Sequence, residues 1–427
     1  MQKIQVVLIG VLFAFIISPA AFATNGDNLI SIGPISRAMG GVGIAAPQDA
    51  ISAVFSNPAS MCFGSFCPAS SFDFAGTLFM PAVSARVKLV TGDVGDDSDD
   101  DVFAIPAIGL SVPISPGMPA WRFGIAAYGV SGLGVDYRET ALDDPAGFDF
   151  GEFGTAPLIA GEYTALQIMK FAPAIAVQPM GNLSLGLALH IDYATLDLRQ
   201  GSSPTYAYGI QAGLIYKPSE TISLGLSYIS PQTADHKNVA YFDDDNFLDS
   251  LELEVPQQVG IGAAYNLPDL FDVLIEVDIK WINWSDSTGY DDFDWGDQWV
   301  YAIGLQLKPS SKLSLRIGYN YAKQPLDVHD GFDGTFMPNN VQSVQGKEVP
   351  TYYYETFRII GFPAIIEKHL TFGIGYEFAP RFSVHLGYML GFEEKISETG
   401  TDLFGRPVTI ESTLSEESLD FGLTWMF

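Results

Sequence analysis

The 427-residue chain contains only two cysteines and sets 21 basic residues against 50 acidic ones. Beyond its first residues it also lacks any long uninterrupted apolar run. Each scarcity excludes a class. Two cysteines without a neighbouring histidine do not complete a zinc shell, and they cannot staple a scaffold of this size. A net charge of −29 rules out the phosphate-neutralising surface that binding to nucleic acid requires. Without apolar stretches approaching the roughly 20 residues of a spanning helix, the mature chain is not a helical membrane protein. Yet 48% of its residues are hydrophobic and its mean hydropathy is +0.19. A chain this apolar, with no spanning helix, can satisfy its backbone N–H and C=O groups in lipid only by closing into a β-barrel.

The first residues have their own pattern. Lys3, an apolar run from Val6 to Ile17, then Ser18, Pro19 and Ala21-Phe22-Ala23 read as a secretory signal peptide, residues 1–23, cut before Thr24. Its apolar run is short for an uncleaved anchor. Export to an oxidising compartment predicts a disulfide between Cys62 and Cys67, five positions apart. The acidic clusters at Asp93 to Asp101, Asp243 to Asp245 and Asp291 to Asp297 read as solvated loops. The alternative is divalent-cation binding that bridges to lipopolysaccharide phosphates.

Residues 70–427 repeat strands of about ten residues with period-two alternation, the pattern of a transmembrane barrel. From Leu183 to Tyr193 the odd positions are apolar, while the even ones are Ser184, Gly186, Ala188, His190 and Asp192. One face suits lipid and the other a lumen. Short turns are expected near Ser115 to Ala120, Met180 to Asn182, Pro218 to Thr221, Leu267 to Leu270, Pro309 to Lys312 and Ala379 to Arg381. Long loops are expected at Thr91 to Asp101, Arg138 to Leu158, Arg199 to Pro204, His236 to Ser250, Ser285 to Asp297, Pro325 to Lys368 and Glu393 to Ile410. Thirteen connections imply fourteen antiparallel strands, with both barrel ends on the short-turn, periplasmic side. The last strand alternates Leu419, Phe421, Leu423, Trp425 and Phe427, and its terminal aromatic looks like the signal read by the outer-membrane assembly machinery.

Residues 24–69 do not alternate, because Gly26, Gly33, Gly40, Gly41 and Gly43 interrupt them, and they are expected to fold into the lumen as a plug. Ser36-Arg-Ala-Met-Gly-Gly-Val-Gly-Ile-Ala45, followed by Asp49-Ala-Ile-Ser-Ala-Val-Phe-Ser-Asn-Pro-Ala59, resembles the N-terminal hatch of the FadL family of outer-membrane fatty acid and hydrocarbon transporters. Its Asn-Pro-Ala motif stands at Asn57, Pro58 and Ala59. The segments Val255 to Tyr265, Asp278 to Ser285 and Leu313 to Tyr319 are similar to the family's later strands. The acidic first loop, the cysteine pair and the insert Pro325 to Lys368 depart from it.

The resemblance implies a monomeric outer-membrane carrier of hydrophobic small molecules, surrounded by outer-membrane lipid and lipopolysaccharide, without cofactor or metal and not an enzyme. Cargo would be caught at the outer loops, pass the hatch and leave sideways through an inward kink in strand three. Here that strand is Trp121 to Tyr137, and Gly129, Gly132 and Gly134 are the kink candidates, although barrel strands use glycine elsewhere too. Lys170, Lys280 and Arg316 fall on the lumen face by parity, as ligand cations or as ion-pair partners of Glu276, Asp278 and other wall carboxylates. His190 and Asp192 share that face, but no serine nucleophile motif accompanies them. A general diffusion porin is the alternative reading, and a Gly-rich plug of about 45 residues argues against it.

Overall fold

The computed structural model describes residues 24–62, 70–99, 102–115, 117–118, 120–143, 158–243, 247–268 and 271–427. The expected disulfide lies outside them, since Cys67 is not described and Cys62 only closes a 3-10 turn, Pro58–Cys62.

Among the described residues nineteen strands form, in chain order. They are β1 (Ser71–Leu89), β2 (Gly92–Asp97), β3 (Phe103–Pro113), β4 (Trp121–Asp136), β5 (Tyr163–Met180), β6 (Leu183–Asp197), β7 (Ser203–Tyr216), β8 (Ile222–Ile229), β9 (Gln232–Ala240), β10 (Asp249–Val255), β11 (Gln258–Leu267), β12 (Val273–Ile282), β13 (Gln298–Ser310), β14 (Leu313–Ala322), β15 (Val341–Val344), β16 (Lys347–Pro350), β17 (Lys368–Ala379), β18 (Phe382–Thr401) and β19 (Pro407–Met426). Each wall strand pairs antiparallel with its neighbours, and β19 returns to β1, so the sheet closes. The hairpins β9–β10 and β15–β16 stand apart, and β2 pairs only the outer end of β1, which leaves fourteen wall strands. Closure removes the sheet edges that would otherwise expose unpaired backbone to lipid.

Alternation sets the two faces. On β6, Leu185, Leu187 and Leu189 are exposed, whereas Ser184, Ala188, His190 and Asp192 are buried. The outward face carries aromatic residues at both ends, with Phe382, Trp425 and Phe427 beside the short turns and Tyr206, Tyr208, Trp299 and Tyr301 towards the long loops. Such girdles sit at the two membrane interfaces of a transmembrane barrel. The wall extends further outward than expected. Glu393 to Ile410 is not a loop, because β18 and β19 stay paired to Thr401 and Pro407. Their outward residues there are polar, as at Glu393, Lys395 and Thr399, while Ile396, Val408, Ile410 and Leu414 point inward and are buried, which is how a strand reads once its outer face has left the lipid.

Residues 24–62 run inside the wall. They form two short helices, α1 (Pro34–Arg37) and α2 (Ala50–Ser56), with Asp49 capping α2 by accepting the Ser52 N–H at 2.6 Å. Inward glycines make room for them. A Cβ on Gly318 would collide with Gly40, and one on Gly186 with Ala59. Insert 325–368 dips in from the long-loop end through β15, β16 and a third helix, α3 (Thr351–Thr356), followed by one π-helical turn, Phe357–Gly361. Every residue from Thr351 to Ile366 is buried.

Candidate functional site: a lumen cavity beside an interruption in the wall

The inner segment has two parts that the wall holds differently. From Gly33 onward its backbone donates to carboxylates on inward wall positions. Asp278 accepts from Gly43 at 2.8 Å and Ile44 at 3.1 Å, Glu276 from Ala45 at 2.7 Å and Ala46 at 3.0 Å, and Asp73 from Ala50 at 2.8 Å. Arg37 meets Asp420 at 3.1 Å with both side chains buried. Asn57 donates its amide to the carbonyls of Ile44, Leu214 and Leu226, and the Ala59 carbonyl accepts from Ser184 at 2.5 Å. The Asn57-Pro58-Ala59 motif is therefore an anchor. Glu276 and Asp278 serve the inner segment here, not the wall cations that parity set beside them.

Residues 24–32 are tied more sparingly. Leu29 N–H donates to the Val130 carbonyl at 3.2 Å, and Asn28 forms an isolated bridge with Ser131. The Tyr290 hydroxyl donates to Asp27. Burial pushes the Asp27 carboxyl up to about 6, which that hydrogen bond only partly offsets. Gly26 has φ of 65° and sits against Trp284, where a Cβ would lie 2.7 Å from the ring. Trp284, Tyr290 and Trp295 form one aromatic cluster with ring centroids 4.6 to 4.9 Å apart.

Val130 is also where the wall changes. Between β4 and β5 the register shifts from Gly129 to Ser131, so Val130 bulges out of the ladder. Gly132 and Gly134 keep regular partners, Gln167 and Ala165, which singles out Gly129 among the three candidates. On its other side β4 pairs β3 only from Arg122 to Tyr128, and its remaining residues have no β3 partner. On that side the strand is next held at Asp136, by the residues that follow β2: its carbonyl accepts from Asp99 at 2.9 Å and its N–H donates to Ser98 Oγ at 2.9 Å. Among the described residues, the wall thus has a window over residues 129–135. Ile105 of β3 borders it, 2.7 Å from where a Gly129 Cβ would stand.

A narrow lumen cavity adjoins this bulge. Its lining is largely apolar, with Leu29, Ile44, Phe55, Tyr128, Val130 and Ile282 prominent, and Lys170 and Lys280 are its cations. Lys170 is occupied, because it pairs with Asp192 at 2.8 Å and contacts Gln232. Lys280 has no carboxylate within ion-pair distance among the described residues. Arg316 lies away from the cavity, buried near Asp49 and His385, with Nε and Nη1 lacking a partner. His190 bonds Gln211 at 3.2 Å and packs against Lys170.

Nearer the outside, Phe357 and Phe362 of the insert join Leu251, Leu253, Phe293 and Trp295 around a smaller apolar cleft. Arg358 fastens the insert by bonds to Glu355 at 2.6 Å and Glu398 at 3.0 Å. Two features of this architecture were missed in sequence: the window's limits and the insert's inward course. The run Thr351-Tyr-Tyr-Tyr354 was a signal for the second, being too aromatic for a solvated loop.

No family model and no curated protein matches the sequence. Solved structures do match its fold. The Pseudomonas putida toluene transporter TodX superposes with a TM-score of 0.63 at 17% identity, covering 94% of this chain and 99% of its own. The Ralstonia pickettii toluene transporter TbuX gives 0.59 at 15% identity, over 94% and 99% of the two chains. A Pseudomonas aeruginosa FadL homologue gives 0.59 at 14% identity, over 96% and 99%. The chain is a fourteen-stranded transmembrane barrel with the FadL-type fold.

Proposed function

We propose that the protein admits hydrophobic small molecules through the bacterial outer membrane and releases them sideways through the window in β4. The carrying observation is the coincidence of three features at Val130: a bulge in the wall, an interrupted β3–β4 ladder and the apolar cavity. A solute that avoids water gains from a path whose walls are apolar and whose exit opens into lipid. An open porin would need a wet lumen instead.

Residues 24–62 act as the hatch, and residues 24–32 are its moving part, since they cover the window from inside with few polar ties. The cargo is an amphipath with a carboxylate, of the long-chain fatty acid class, and Lys280 receives its head. A bare aromatic hydrocarbon would leave that ammonium in an apolar cavity with no carboxylate in ion-pair contact.

Uptake of radiolabelled long-chain fatty acid by cells lacking other carriers tests the reading, alongside toluene uptake and liposome swelling with small sugars. Fatty acid uptake without swelling is expected. Brisk swelling makes the protein a porin, and toluene uptake alone removes the role given to Lys280.

A further inference from the structure

The innermost segment of the insert borders two hollows at once. Phe357, Arg358 and Phe362 line the outer apolar cleft, while Gly361 and Pro363 line a small cavity behind the window with Phe79 and Val135. A path from the outer cleft to the window therefore runs past residues 357–363. Two carbonyls hold this segment to the wall, Ile359 accepting from Ser412 at 2.6 Å and Gly361 from Thr164 at 2.6 Å. Its charged tie is the cluster around Arg358, whose guanidinium donates to Glu355, Glu398 and the carbonyls of Phe293 and Asp327. His329 completes that cluster. Its Nδ1 lies 3.0 Å from Glu355 and 3.1 Å from Arg358, its Nε2 lies 3.5 Å from Asp294, and its backbone N–H donates to Glu398 at 3.0 Å.

A neutral imidazole has one N–H and one bare nitrogen, so it cannot present a proton to Glu355 and to Asp294 at the same time. The imidazolium can. A neutral His329 would also leave the buried Glu355 and Glu398, together with Asp294, to a single guanidinium, and Oε2 of Glu398 already lacks a partner. The other polar groups beside the ring are occupied, since Tyr354 donates its hydroxyl to Asp294 and Asp330 accepts from Thr399. We infer that His329 is a proton-operated latch on the insert. The imidazolium ties the insert to β18 and to the β12–β13 connection, and so keeps residues 357–363 closed between the outer cleft and the window. Loss of its proton frees them. The Glu355 carboxylate holds the imidazolium above the usual histidine range, against partial burial and the charge of Arg358. The stabilisation is therefore fully present below about 6.5, the unperturbed value, and is lost as pH rises through the higher value of the latched state. That the latch gates cargo rests on the proposed transport, whereas the latch itself does not.

Hydrogen exchange of the full protein in detergent, without cargo, tests the latch. Exchange of residues 351–366 is followed by mass spectrometry between about pH 5.5 and about pH 9 and corrected for the intrinsic rate. In the wild type their protection should fall by about tenfold or more across that range, while that of β5 and β6 stays constant, a tenfold change corresponding to about 1.4 kcal/mol. His329→Gln should exchange at the fast rate at every pH. His329→Lys, whose charge persists over the range, should exchange at the slow one. Constant protection in the wild type overturns the latch, and so does a transition that survives in His329→Gln, since another group then controls the insert. Heat-modifiable migration shows that the barrel of each variant is assembled. Fatty acid uptake is then compared at the two ends of the range. Uptake that rises with pH in the wild type and is flat in both variants supports the gate. Uptake that ignores pH although the insert opens overturns the gate and leaves the latch standing, and no uptake at any pH counts against the transport reading alone.

Discussion

Residues 33–62 and residues 24–32 share one lumen and are secured by opposite strategies. The first stretch gives its backbone N–H groups to buried carboxylates on β1 and β12, adds Arg37 on Asp420, and fixes its far end through Asn57. The second is held to the wall by one backbone bond and one bridge to β4 and by the Tyr290 phenol on Asp27, and to the first stretch by Ser31, which bonds Ser36 and Arg37. Charge-assisted bonds in a low-dielectric interior cost several kcal/mol to break singly, because each leaves an unpaired buried group. A plug that had to move as a whole would have to break all of them together. Motion confined to residues 24–32 needs far fewer, and it uncovers the window rather than the whole lumen.

The largest expected effect comes from tying down one part or the other. With Cys62 and Cys67 replaced by serine, cysteines at Asn28 and Ser131 are bridge partners and close enough to join. Joining them should abolish uptake, and reductant should restore it. Joining cysteines at Ala59 and Ser184 should leave uptake near the wild-type rate, because that contact is already fixed. Loss of uptake in the second pair would show that the whole inner segment moves.

Next comes the window. Gly129→Val places a branched side chain against Ile105, and overpacking of this kind costs about 1–3 kcal/mol. Uptake should fall several-fold while ligand binding and heat-modifiable migration persist. Gly132→Val and Gly134→Val, at regularly paired positions, should have less effect. Equal loss in all three places the exit elsewhere.

A smaller change is expected at the cavity. Lys280→Met keeps the volume and removes the ammonium, and a charge-assisted hydrogen bond of about 1.5–3 kcal/mol corresponds to roughly tenfold or more in fatty acid affinity. Lys170→Met should not mimic it, because Lys170 already serves Asp192. Isothermal titration with a detergent-solubilised fatty acid measures both, and equal losses would deny Lys280 its special place.

Much of this architecture was legible before any coordinates. Period-two alternation located the strands because lipid and lumen impose opposite chemistry on adjacent residues, and that constraint holds at every wall position. It failed for Glu393 to Ile410, where the outward face is polar instead of apolar and the inward face packs on the insert, so the lipid pattern is lost although pairing continues. Parity also placed Lys170 and Lys280 inward. It could not distinguish them, since which one has a partner depends on β6 and β9 supplying Asp192 and Gln232 to Lys170. The three glycines of β4 looked equivalent for a similar reason. A bulge is a property of two paired strands, and only the register against β5 separates Gly129 from the others.

The smallest expected effect concerns pH, and it again divides the two parts of the inner segment. Asp27 in the docked state titrates near 6, against 3.8 for an unperturbed carboxyl, chiefly because burial disfavours its charge. Docking of residues 24–32 therefore favours the neutral acid. The resulting stabilisation is fully present below about 3.8 and is lost as pH rises through about 6. A spin label at Asn28 should report an arm that becomes more mobile between roughly pH 4 and 6 and changes little above that. In Asp27→Asn the mobility should be flat over the same range, because the amide keeps the neutral form's shape and cannot ionise. A label at Ala59 should show no such transition in either protein, since residues 33–62 do not depend on Asp27. If the Asn28 label titrates equally in wild type and Asp27→Asn, another group controls the arm. If both labels move together, the inner segment behaves as one body and the distinction between its two parts is wrong.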